Sequence, residues 1–143
     1  MVVFEHCVQL DYAVSAAMEQ MKHAQQRSAL RASLRDVEEL LGRDDPQAVD
    51  VGALMLDGLV SQLVSEWFAE RGAEPPSRER MLAELEQHEG AGGQFVARLR
   101  LALRAPDPQA RLVQCWDLLR CIDHRSNNEC SNDVDNNDMD NEK

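Results

Sequence analysis

An all-α fold, an antiparallel bundle of five or six helices, is predicted by three observations. Apolar residues recur at steps of three and four almost everywhere. Gly and Pro cluster at the gaps between these periodic segments. Hydrophobic residues make up 43% of the 143 residues, enough for a core, but only 4% are aromatic, so Leu, Val, Ala and Met must fill it.

The first stripe runs from Val3 through Cys7, Leu10, Val14, Ala17, Met21 and Ala24, in alternating steps of four and three. Residues 4–10 also alternate apolar and polar, which suits a short strand. Leu30, Leu34, Val37 and Leu41 form a second stripe. No Gly or Pro precedes Gly42, so both stripes fit one long helix. Asp44, Asp45 and Pro46 then make a turn.

The most apolar segment follows, with Leu56, Leu59, Val60, Leu63, Val64, Trp67 and Phe68 on a broad face. Gly72 ends it, and Pro75-Pro76 forces an extended link. Ser77 is placed to cap a helix carrying Met81, Leu82 and Leu85, which Gly90, Gly92 and Gly93 break. A further helix carries Phe95, Val96, Leu99, Ala102 and Leu103. In Pro106-Asp107-Pro108, Asp107 is the expected N-cap and Pro108 the first helical residue. The last helix carries Leu112, Val113, Trp116, Leu119 and Ile122. The expected division is a helical bundle over 1–125 and an acidic, Asn/Asp-rich disordered tail over 126–143.

The net charge of −11 is unevenly spread. Residues 1–93 hold 17 acids and 8 bases, residues 94–125 hold 3 acids and 6 bases, and the tail holds 6 acids and 1 base. Most of the surface would repel phosphate, which argues against general nucleic-acid binding and leaves room for a local anion near the arginines. No continuous apolar run approaches the ~20 residues of a membrane span, and Glu5, His6 and Asp11 interrupt any leader, so a cytoplasmic location without a membrane partner is expected.

The common catalytic motifs are absent, including phosphate-binding Gly-rich loops, H-E-x-x-H and G-x-S-x-G. Cys7, Cys115, Cys121 and Cys130 make no zinc pattern and read as buried reduced thiols, with Cys115 and Cys121 in one apolar helical stretch. His6, His23, His88 and His124 lie at no metal-ligand spacing and read as surface histidines. The tail run Asp133 to Asp140 alternates carboxylates, but Asp138 stands where a calcium loop requires Gly. No metal or cofactor is expected.

Two constellations remain. Arg120 and His124 are four residues apart, on one face of the last helix. This pair resembles that of the HEPN ribonucleases, whose Arg and His work across a dimer to cleave RNA, although here only three residues intervene. Further upstream, Glu66, Glu70 and Arg71 close the apolar helix, and Arg78 and Arg80 open the next. Such a helix end suits a bound phosphate or carboxylate.

The order Trp67-Phe68, Arg71-Gly72, Pro75-Pro76, Arg78 and Arg80, Met81-Leu82, a Gly break, Ala97 to Leu103, Pro106-Asp107-Pro108 and Leu112 to Leu119 is similar to the helical C-terminal domain of the kanamycin nucleotidyltransferase-like small-molecule nucleotidyltransferases. The likeness spans roughly residues 28–123. It implies a substrate-binding bundle that normally follows a catalytic domain, with Phe4 to Leu10 the remnant of that domain's last strand. The chain departs from the family where catalysis would lie. It has no Gly-Ser, and its D-x-D pairs, Asp133/Asp135 and Asp138/Asp140, fall in the tail. Without metal carboxylates the two-metal mechanism has no foundation.

The resulting expectation is a non-catalytic binding or accessory module. It would take a small polar or anionic ligand through Glu66, Trp67, Arg71, Arg78 and Arg80, and serve a separate catalytic nucleotidyltransferase subunit. The alternatives are a HEPN-type ribonuclease or toxin using Arg120 and His124, and a self-associating structural bundle whose seam runs from Val3 to Ala24.

Overall fold

The computed structural model describes residues 2–90 and 92–126, with side chains over 10–90 and 92–124. Five α-helices follow in order: α1 (Val2–Leu41), α2 (Pro46–Glu70), α3 (Met81–Glu89), α4 (Gln94–Leu103) and α5 (Pro108–Ser126). A 3-10 turn at Arg78–Arg80 leads into α3. No strand occurs among the described residues, so the all-α bundle stands. The tail expected over 126–143 lies outside the described residues, apart from Ser126, which ends α5.

Local chemistry sets the helix ends. α1 continues without a break from Val2, so residues 4–10 are helical and are not the remnant of a strand. A lone strand there would have no ladder partner, whereas nothing in this Gly- and Pro-free stretch stops a helix. Asp45 caps α2, its Oδ1 accepting from the Gln47 amide at 3.1 Å, with Pro46 in the first turn. Asp107 does the same for α5, accepting from the Ala110 amide at 2.8 Å. Gly72 and Gly90 take φ of 69° and 96°, the left-handed region that releases the chain from α2 and α3. Ser77 precedes the 3-10 turn but makes no side-chain cap bond.

The core sits where α1, α2, α4 and α5 converge. Leu30, Leu34, Val37 and Leu41 of α1 bury the second stripe against α2, and α5 packs on both helices and on α4. α3 leans on α4 and contributes Leu85. Gly52 lets α2 approach the end of α1, because a Cβ there would stand 2.9 Å from Leu41 Cδ2. α2 is long and apolar enough, by length and average composition, to cross a membrane, which qualifies the expectation from continuous runs. Leu56, Leu63, Val64, Trp67 and Phe68 of that helix lie in the core. Several stripe members face solvent instead, including Leu82, Leu103, Val113 and the first-stripe residues Leu10, Val14 and Met21.

Candidate functional site

The clearest concavity is a cleft of about 600 Å³ between the end of α2, the α3–α4 junction and the last turns of α5. Its floor begins with Trp67, which is almost wholly buried. The indole stacks on Phe95 at 5.5 Å between centroids and meets Phe68 edge-on at 5.2 Å. One turn later on the same face, Arg71 lays its guanidinium over the indole, 3.3 Å from the ring centroid. It also donates to the Trp67 carbonyl at 3.3 Å. The Gly72 turn and the Pro75-Pro76 link carry the chain away directly after Arg71, leaving it at the rim.

Arg98 of α4 and Arg120 of α5 complete the basic wall. Both donate to the Asp117 carboxylate, at 3.2 and 3.1 Å. His124 lies one turn beyond Arg120, and both side chains reach the cleft. The cleft acids are engaged within the protein. Glu89 accepts from the Phe95 and Val96 amides at 3.0 and 2.9 Å, and so caps α4 where Gly93 cannot. Asp123 takes Arg31 at 2.6 Å and Arg27 at 3.3 Å. One carboxylate thus serves two guanidinia at Asp117, another does so at Asp123, and a helix N-terminus offsets the charge of Glu89. The lining thus holds three arginines and three acids, and the internal partners of Asp123 and Glu89 leave Asp117 as the acid set against Arg71, Arg98 and Arg120.

Of the five residues expected to share a site, Trp67 and Arg71 do so. Glu66 does not. Successive helical residues point about 100° apart, so Glu66 and Glu70 share a different face from Trp67 and Arg71. Glu66 faces α1, where its Oε1 lies 3.5 Å from His23 Nδ1, and Glu70 pairs with Arg27. Burial pushes the Glu66 carboxyl above its ordinary range, and His23 and Arg27 pull it partly back. Glu66 also borders a second, more apolar cavity of about 470 Å³ with Ser33, Ser61 and Ser65. Arg78 and Arg80 stand exposed on the 3-10 turn and line neither concavity.

The HEPN-like pair, Arg120 and His124, converges on the same cleft as Trp67 and Arg71. Sequence reading missed Glu89, Arg98, Asp117 and Asp123. Of these, only Glu89 had a local signal, an acid just before a Gly-rich helix start. Cys115 is fully buried and its thiol is pushed up to about 11 by desolvation. Cys121 borders the cleft, and burial raises its pKa as well. Cys7 and Cys130 lie outside the described side chains, as do His6 and the carboxylates of the tail. Among the described residues no cluster of His, Cys, Asp and Glu is arranged to hold a metal ion. No family model matches this chain, and no curated protein or solved structure is significantly similar to it.

Proposed function

We propose that the bundle is a non-catalytic module that binds a small polar, anionic ligand in the cleft between α2, α4 and α5. One observation carries this reading: Arg71, Arg98, Arg120 and His124 converge on one concavity in which Glu89 caps α4, Asp123 is held by Arg27 and Arg31, and Asp117 alone is shared between Arg98 and Arg120. Phosphate or carboxylate oxygens accept bidentate hydrogen bonds from such guanidinia. The resemblance to the kanamycin nucleotidyltransferase-like helical domain suggests a context, in which the module would present its ligand to a separate catalytic subunit.

Thermal melting of the full chain with nucleotides, inorganic pyrophosphate and aminoglycosides tests this reading. Phosphate-bearing compounds should raise the melting temperature of wild type and lose most of that effect in Arg98→Ala. No shift with any compound would remove the small-ligand site.

A second reading stays in play because Arg120 and His124 both reach this cleft. A HEPN-type ribonuclease would cleave RNA, and His124→Ala would abolish the cleavage. Equal inactivity of wild type and variant would dismiss it.

A further inference from the structure

Residues 10–22 of α1 are exposed at every position, so roughly three and a half turns of helix contribute no buried residue to the bundle. Most helical stability in proteins comes from packing an amphipathic face, and this stretch contributes none of its own to the core. Along it Leu10, Val14, Met18 and Met21 are each more than half exposed, and at about 100° per residue they fall on one face instead of scattering around the helix.

The direction of this display is informative. The bundle half of α1 enters the core through Leu30, Leu34, Val37 and Leu41. Leu10, Val14, Ala17, Met21 and Ala24 keep the same alternation of four and three, but in a different register. At about 100° per residue, the two stripes centre roughly 150° apart around a regular helix. The outer stripe therefore faces away from the side on which α2 and α5 lie. A second helix laid along it would clear the bundle. In heptad terms the flanking positions are Asp11, Met18 and Gln25 on one side and Ala13 and Gln20 on the other. Only one of the five is charged. A chain of net charge −11 thus meets little self-repulsion along this line.

We propose that residues 10–24 form a self-association arm, which pairs with the same segment of a second copy of this chain through Leu10, Val14, Ala17 and Met21. A two-fold pair sets one such face against its twin, so a single stripe supplies both sides of the interface. Two heptads of paired helix bury on the order of 1,000 Å² in total, the lower limit for a specific interface, so the dimer is reversible. The arm is distinct from the cleft, and its pairing does not depend on the ligand reading.

Sedimentation velocity on the full chain tests the arm. The apparent mass should rise from one chain to two between low- and high-micromolar concentration. Val14→Lys combined with Met21→Lys should remain a single chain at every concentration, with the bundle's melting transition unchanged because both residues lie outside the core. Hydrogen exchange on unmodified protein gives a second readout: amides of residues 10–24 should become more protected as concentration rises. A wild type that stays a single chain throughout, a double variant that associates as well as wild type, or arm exchange independent of concentration would each overturn the proposal.

Discussion

Glu89→Ala is expected to move stability and ligand affinity in opposite directions. The Glu89 carboxylate accepts from the Phe95 and Val96 amides and caps α4 from the preceding helix. Losing a helix cap of this kind costs about 1–2 kcal/mol. For a domain of this size that lowers the melting temperature by roughly 3–10 °C. The same carboxylate borders the cleft. Removing one negative charge roughly 8 Å from a bound anion, at an effective dielectric of about 20–80, gains about 0.5–2 kcal/mol, or roughly 2- to 30-fold in affinity. Calorimetric melting gives the first quantity, and titration calorimetry with pyrophosphate gives the second. The affinity gain should shrink as salt is added. Gly93→Ala is the control, since a Cβ there would overlap the Glu89 carboxylate and displace it without removing its charge. It should lower stability with little gain in affinity. A Glu89→Ala protein that melts like wild type, or that binds pyrophosphate more weakly while remaining folded, would refute the reasoning.

Other expectations concern the core and the buried polar groups. Trp67→Ala should cost about 3–5 kcal/mol in denaturant unfolding, because it empties the contact with Phe68 and Phe95. A cost below about 1 kcal/mol would mean that the indole is not the centre of that cluster. Glu66 should make stability depend on pH in a definite direction. Its folded pKa is raised by burial, so the unfolded chain ionises first and stability declines as pH climbs from the ordinary carboxylate range through the folded value. Glu66→Gln removes this slope, so its melting temperature relative to wild type should increase between about pH 4 and pH 7; a constant or falling difference would contradict the burial cost. Cys115, fully buried and with its thiol at about 11, should resist iodoacetamide at neutral pH until the protein unfolds. Mass spectrometry of the labelled peptide reads this out, and rapid labelling in the folded state would count against the core assignment.

The fold was largely legible in the sequence because its punctuation is local. Gly42, Gly72, Gly90, Asp45 and Asp107 act through their own backbone or a neighbour two or three residues away, and each acts at the expected boundary. The outer stripe of α1 was legible as a heptad pattern, but its exposure was not, since burial depends on where α2 and α5 lie. The site was half legible. Trp67 and Arg71 are one helical turn apart, and periodicity alone puts them together. Glu66 is adjacent to Trp67 in sequence, but adjacency on a helix means a different face. Arg78 and Arg80 are expected to bind the ligand, whereas the 3-10 turn after the Pro75-Pro76 link leaves both exposed and outside the cleft. Arg98 and Asp117 meet across the packing of α4 on α5, 19 residues apart. No spacing rule reports that encounter, because it is created by tertiary structure.

Chemical-shift mapping on the isotopically labelled full chain, titrated with pyrophosphate, addresses the binding cleft most directly. The resonances of Arg71, Arg98, Arg120 and His124, and the Trp67 indole N–H, should shift together along one saturable curve, while those of Arg78 and Arg80 stay still. Shifts confined to Arg78 and Arg80, or spread without saturation over all exposed arginines, would contradict a binding site in the cleft.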